Sequence, residues 1–335
     1  MNNPRVSVIT ITYGHEKYII DTIEGIVKQE YNGEIEYIIS NDCSPDDTDE
    51  VITDYLTRIN IPANITIKYT KQEKNIGIIP NFIWALKQAT GKYISFCEGD
   101  DFWTDYQKLA KQISFLEAND SYVLSNTDCD AYYQNSGMLV KNINFLNRKK
   151  YRCINDLFPA KDILDANYII RTASVVFKAS FLNEYYNSDF FKVYADKLMM
   201  ADTPLWTFLS TKGKFHYLNS STMVYRVSES GVSNSTNEKK SLQFDISVCD
   251  MKYAMIFDNR YSFSKFLKYK NKLIYNHLNV NALIKKLDLY YLFPKELNSK
   301  NTLLAKYASK SNLFKDFLEY KFRITLMFYN QLCKI

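Results

Sequence analysis

The sequence predicts an α/β fold, a doubly wound and mostly parallel sheet followed by a helical C-terminal region. Three observations predict it. Four short β-branched or aromatic runs alternate with segments whose apolar residues recur at helical spacing, all within the first hundred or so residues. Strands separated by helices are joined by crossovers, which make neighbouring strands parallel. From about Lys239 onward the alternation is lost, and the pattern turns helical and increasingly basic.

In order, Val6 to Thr12 is a β-branched run, and Ile19, Ile23, Ile26 and Val27 follow at the spacing of one helix face. Glu34 to Ser40 is a second strand, succeeded by the loop Asn41-Asp42-Cys43-Ser44. Ser44-Pro45-Asp46-Asp47 then opens a helix with a cap residue, a proline at the first position and acids in the first turn. Ile65 to Thr70 is a third strand, and a polar loop containing Asn75 and Gly77 leads to a helix marked by Phe82, Leu86 and Ala89 and closed by Gly91. Tyr93 to Cys97 is a fourth strand, which stops abruptly at Glu98-Gly99-Asp100-Asp101. Thr104 and Gln107 have the spacing of a capping box for a helix carrying Leu109, Ile113 and Leu116.

The acids therefore fall in a strand-to-helix turn, on the edge where open α/β sheets bind ligands. Tyr13, Asp42, Asn75 and Asp100 share that edge. Clustered carboxylates repel one another, and a divalent cation offsets the repulsion. Magnesium or manganese takes one or two protein carboxylates and fills its other positions with water and phosphate oxygens. The alternative is a solvated acidic turn that caps the following helix. With a ring to stack on a base and a carboxylate to accept its N–H, the edge has the residue types of a Rossmann-like, nucleotide-binding half. Neither GxGxxG after the first strand nor GxxxxGK(S/T) anywhere is present, which disfavours dinucleotide enzymes and P-loop ATPases. Asp128-Cys129-Asp130 is a second D-x-D, but it lies within Tyr122 to Tyr133, which reads as a strand.

The totals agree with a packed domain of this size. The chain has 335 residues, 46% of them hydrophobic, and its 27 Tyr and 21 Phe suit a large core and ring-stacking sites. Six cysteines without a CxxC pair read as free thiols of a reducing cytoplasm, and three histidines argue against a zinc site. No signal peptide or membrane-spanning run is expected. From Arg260 to Ile335, 15 Lys plus Arg stand against 4 Asp plus Glu, whereas the whole chain carries only +5.

The segments VSVITITYGHEKYI, EYIISNDCSPDDT, NIGIIPNFIWALKQATGKYISFCEGDDFWTD and ADTPLWTFLSTKGKFHYLNSSTMVYRV resemble, in order and spacing, the bacterial glycosyltransferases of family 2, across about residues 4 to 234. The resemblance implies a GT-A fold, a nucleotide-diphosphate sugar donor with UDP favoured, a divalent cation (Mn or Mg) and inversion at the anomeric carbon. It puts Thr12 and Tyr13 in the nucleotide site, with Tyr13 against the base, Asp42 accepting the base N3–H, and Asn75 and Asn81 positioning the nucleotide. Glu98-Gly99-Asp100 stands where the family has its metal-binding D-x-D, with Asp100 the direct ligand and Asp101 close behind it. Glu98 in place of Asp implies a water-mediated or sugar contact there. Read without the resemblance, Tyr13 is a core ring, Asp42 a turn residue and Asn75 a loop former.

Asp202, ahead of Leu205, Trp206 and Leu209 in a helix ending at Gly213, reads by itself as a helix cap. The resemblance makes it the general base of inverting transfer. It also sets Arg171-Thr172-Ala173-Ser174, before the strand Val175 to Lys178, near the acceptor, and it places Ser228 where a metal-binding His is frequent, with Glu229 as a substitute. Ser228 to Asn237 reads as a loop that orders over bound donor. The implied organisation is a catalytic domain over 1–238 and a basic, aromatic-rich helical region over 239–335. In the latter, Phe314, Leu318, Phe322, Leu326 and Tyr329 fall at i, i+4 spacing and either pack inward or meet the inner membrane, where basic residues are attracted to anionic lipid. The expected acceptor is a saccharide or a polyprenyl-linked saccharide in O-antigen or capsule synthesis, at a cytoplasmic location. Nucleic acid is not an expected partner. The rival readings are a sugar-nucleotide pyrophosphorylase and a non-catalytic nucleotide-sugar-binding module.

Overall fold

The computed structural model describes residues 3–144, 170–194, 199–227 and 244. Every described element lies within Met1–Asn234, the first of two units into which the chain divides. The expected C-terminal helices, the loop from Ser228 to Asn237, and Ser228 and Glu229 as ligands fall outside the described residues.

The first half is built as its apolar spacing requires. β1 (Asn3–Thr12), α1 (Ile19–Val27), β2 (Gly33–Asn41), α2 (Thr48–Arg58), β3 (Ile65–Lys71), α3 (Ile78–Gln88) and β4 (Tyr93–Phe96) alternate along the chain. The four strands pair in parallel in the order β3-β2-β1-β4. Ile19, Ile23 and Ile26 of α1 and Ile52 of α2 are buried in one core with Val6, Val8, Tyr37 and Ile39. Phe82 of α3 stacks on Phe96 at 4.8 Å, covering the opposite face. The sheet is thus wound on both sides, with its reversal between β1 and β4.

Beyond β4 the sheet is mixed rather than parallel. The remaining elements are β5 (Phe102–Trp103), α4 (Lys108–Ala118), β6 (Tyr122–Tyr133), β7 (Met138–Val140), β8 (Val175–Lys178), α5 (Leu182–Asn187), α6 (Asp189–Tyr194), α7 (Asp202–Ser210) and β9 (Lys214–Val227). β8 inserts between β4 and β6, antiparallel to both, while β9 runs parallel to β6 and carries β5 antiparallel at its far edge. Trp206 of α7 packs edge-on against Phe177 of β8 at 5.7 Å. The β9–β5 pairing, Phe102 opposite Val224, brings the end of β9 back to the acidic turn.

Several helix starts differ from the sequence expectation. α2 begins at Thr48, not at Ser44: the Ser44 hydroxyl donates to Asn41 Oδ1 at 2.7 Å, and Asp46 Oδ1 accepts the Thr48 N–H at 3.2 Å. Thr104 caps nothing, because Asp105 Oδ1 accepts the Gln107 N–H at 2.9 Å and α4 begins at Lys108. Gly91 does not end α3, which stops at Gln88; a Cβ there would sit 2.5 Å from the Ser7 nitrogen, so it is the close approach of the loop to β1 that requires glycine.

Candidate active site

The C-terminal ends of β1 and β2 form the nucleotide edge. Thr12 closes β1, buried, with its hydroxyl 3.1 Å from His15 Nδ1. Tyr13 is 46% exposed, so its ring is a surface ring at this edge and not part of the core. Asp42 is 3% exposed, and its two oxygens accept the backbone N–H groups of Ile76 at 2.8 Å and Gly77 at 2.9 Å. Each oxygen keeps a second acceptor position. Exposed Asn75 fixes the same loop by accepting the Gly77 N–H at 2.9 Å. Gly77, at φ 93°, takes a conformation that favours glycine. Asn81 is an interior residue of α3. It is 1% exposed, with Oδ1 accepting from the Ser40 hydroxyl at 2.5 Å and Nδ2 donating to the Ser40 carbonyl at 3.1 Å, so it ties α3 to β2 beneath the edge.

The acidic turn is clamped from three sides. A Cβ on Gly99 would lie 2.6 Å from Thr12 Oγ1 and 2.8 Å from His15 Nδ1, which brings the turn directly against the end of β1. The Thr22 hydroxyl of α1 donates to the Asp101 carbonyl at 2.6 Å. From β9, the Arg226 N–H donates to Asp101 Oδ1 at 2.9 Å, and Arg226 Nη1 donates to the Asp100 carbonyl at 2.9 Å. Asp101 is 4% exposed, and burial, then the charges of Asp100 and Glu98, hold its pKa well above the carboxylate range. Its Oδ1 is taken up by the Arg226 N–H, which ties the turn to β9. Burial also lowers the His15 pKa, against the opposing pull of Asp100 and Asp46.

Glu98 and Asp100 face different surroundings. Burial, and next the Asp100 charge, push Glu98 up to about 8, and its Oε2 is buried with no hydrogen-bond partner among the described residues. The Thr172 hydroxyl lies beside Glu98, favouring its charged form, and donates to Asp202 Oδ2 at 3.1 Å. Asp202 is the first residue of α7, partly exposed, with Oδ1 accepting the Thr203 N–H at 2.6 Å. The structure thus brings the acidic turn and Asp202 to one place, linked by Thr172.

Among the described residues no three His, Cys, Asp or Glu side chains are placed to hold a metal ion. The donor set fits a cation of another kind. Asp100 is partly exposed and Glu98 Oε2 is unpartnered, which suits an ion that takes one or two protein ligands and the rest from substrate phosphate. The second D-x-D is no competitor. Asp128 is buried in β6, accepting from the Asn144 N–H at 2.9 Å and the Tyr217 hydroxyl at 2.9 Å, and Asp130 pairs with Lys141 at 2.6 Å.

Sequence reasoning missed His15, Thr22 and Arg226. Arg226 stood within Tyr225-Arg226-Val227-Ser228, but its value depends on β9 pairing with β5, which no local pattern discloses. His15 sits two residues beyond Tyr13 in a motif already singled out, and that spacing was the available signal.

The model of the family "Glycosyl transferase family 2" matches residues 7–181. This chain belongs to family 2. A relative, the putative teichuronic acid biosynthesis glycosyltransferase TuaG of Bacillus subtilis, is 34% identical over 113 residues, 34% of this chain and 42% of TuaG. The chain spans less than half the length of the curated relatives it matches. Among solved structures, residues 1–349 of Staphylococcus aureus TarS in complex with UDP-GlcNAc superpose with a TM-score of 0.55 at 17% identity, covering 88% of this chain and 76% of that one. The mannosyltransferase PcManGT of Pyrobaculum calidifontis, in complex with GDP-Man and Mn2+, gives 0.55 at 13% identity, covering 94% and 83%. These likenesses establish the GT-A fold for this family 2 chain. Among the described residues no helix is long and apolar enough to cross a membrane.

Proposed function

We propose that this chain is an inverting glycosyltransferase that moves a sugar from a UDP-sugar to a hydroxyl of a saccharide or lipid-linked saccharide, in the synthesis of a bacterial surface polysaccharide at the cytoplasmic face of the membrane. The observation that carries the reading is the convergence of Glu98, Asp100 and Asp202, with Thr172 between the turn and α7. In this reading Tyr13 lies against the base, and Asp42 with Asn75 holds the loop that meets it. Asp100 presents its carboxylate to the diphosphate, and the unpartnered Glu98 Oε2 is left for a donor-sugar hydroxyl or a water. A divalent cation at Asp100 would supply Lewis-acid stabilisation of the departing diphosphate.

Asp202 removes the proton from the acceptor hydroxyl as that oxygen attacks C1, and the nucleoside diphosphate leaves from the opposite face. Thr172 and Thr203 orient the carboxylate for this, one on each oxygen. A general base contributes about 10²- to 10⁴-fold. Asp202→Asn is therefore expected to cut transfer by roughly that factor while calorimetry shows UDP-sugar binding within about twofold of wild type. Retained transfer removes Asp202 as the base. Failure of every nucleotide sugar to stabilise the wild-type fold, with manganese and with chelator, removes the donor reading. The TarS and TuaG likenesses support a surface-polymer product, and the excess of positive charge after Arg260 supports contact with anionic lipid. Family membership takes away the ground for a sugar-nucleotide pyrophosphorylase.

A further inference from the structure

Arg226 is unusual in how much of the acidic turn it touches. Its side chain is largely buried, and its guanidinium lies over two rings, 4.4 Å from the centroid of Phe102 and 5.0 Å from that of Tyr18. One arm, Nη1, donates to the Asp100 carbonyl at 2.9 Å, and the other, Nη2, pairs with Asp21 of α1. Its own backbone N–H donates to Asp101 Oδ1 at 2.9 Å. One residue at the end of β9 thus holds the Asp100 carbonyl and the neighbouring Asp101 carboxylate and anchors itself on α1. Among the described residues it is the only cation hydrogen-bonded to this turn. Its charge sits among Asp21, Glu98, Asp100 and Asp101, where an uncompensated set of carboxylates would spring apart. A planar fork that bonds two partners while lying over aromatic rings is a task suited to arginine and not to lysine.

We infer that Arg226 is a positioning residue of the donor site, which holds Asp100 in the geometry that receives the cation and diphosphate of the sugar nucleotide. The inference rests on the donor reading above and assigns a role to a residue outside it. Arg226 touches the Asp100 main chain and leaves the carboxylate free, so it acts through Asp100 and not on the reacting atoms. Its loss should raise the cation and donor concentrations needed, with less effect on the turnover of the loaded enzyme.

The test compares wild type with Arg226→Lys, Arg226→Met and Asp21→Ala, the last at a half-exposed position on α1. The measurements are kcat and KM for the UDP-sugar, the manganese concentration for half-maximal rate, and the thermal midpoint. Arg226→Met is expected to raise both KM and the manganese requirement about tenfold or more, as loss of hydrogen bonds from a charged group does, with kcat changed less than about threefold. Arg226→Lys keeps the charge but loses the fork, so it should fall between Met and wild type. Asp21→Ala should shift the manganese requirement in the same direction by a smaller factor. Folded variants with manganese requirement and KM within about twofold of wild type overturn the inference, as does a fall confined to kcat. Should both Arg226 variants fail to fold, an unchanged manganese requirement in Asp21→Ala overturns it. Wild-type protein that binds no UDP-sugar would sink the donor reading instead, so the two failures are told apart.

Discussion

Single residues in this protein show how burial changes what a charged group is. Lys108 is fully buried, donates to Gln112 Oε1 at 2.9 Å, lies 4.3 Å from the Trp103 ring, and has no carboxylate paired with it among the described residues. Burial lowers its pKa to about 7. Below that pH both the folded and the unfolded chain hold the proton, and the cost of burying the charge is complete. Between about 7 and 10.5 the unfolded chain binds a proton that the folded one lacks, so stability rises with pH by roughly 3 to 5 kcal/mol. Lys108→Met should abolish that rise, although it leaves Gln112 Oε1 without its donor at a cost of about 1 to 3 kcal/mol. Urea unfolding at pH 6.5 and 9.5 checks it, and an unchanged pH slope in the variant would refute the argument. Asp101 illustrates the same physics at the site. As a letter it is one more acid beside Asp100, and only the structure shows it buried with Oδ1 accepting the Arg226 N–H.

Among elements, the turn between β4 and β5 depends on having no side chain where it meets β1. Gly99 donates its N–H to the Ile11 carbonyl at 3.0 Å, and an added Cβ would overlap Thr12 and His15. Gly99→Ala is expected to displace the turn, lowering transfer by at least about tenfold at a stability cost of about 1 to 3 kcal/mol, the range for an overpacked site. Assays paired with thermal melts decide it, and an alanine variant of wild-type activity would show that the turn has room. Element boundaries also mark where local chemistry misleads. The signals at Ser44 and Thr104 are real capping residue types, but Ser44 is drawn to Asn41 and Thr104 is bypassed by Asp105. A cap signal identifies that a helix is near, and competition among neighbouring polar groups selects where it begins.

Across the whole molecule, the parallel half carries its own acid lability. The Glu36 side chain of β2 is fully buried, and burial alone would raise its pKa. Bonds from Lys68 at 2.6 Å, Ser7 at 2.5 Å and Thr90 outweigh burial and bring it to about 2. Its contribution, about 3 kcal/mol, is complete above about 4.5 and is lost as pH falls toward 2. Glu36→Gln should flatten that limb, read as the difference in unfolding free energy between pH 6 and pH 3. A limb as steep as that of wild type would place the lability elsewhere. The strands Tyr122 to Tyr133 and Val175 to Lys178 were legible as strands, yet nothing in their letters says that β8 enters between β4 and β6. By itself the sequence determined the α/β alternation and the edge carrying Tyr13, Asp42 and the acidic turn, because periodicity and residue type act over a few neighbours, whereas Asp202 read locally as a helix cap and only the family resemblance singled it out. Only the tertiary structure decided that the sheet turns mixed past β4, that Asp101 and Asn81 are buried, that Arg226 reaches the acidic turn, and that Thr172 bonds Asp202. Those outcomes depend on pairings between residues tens to more than a hundred positions apart, which chain folding creates and local patterns do not encode.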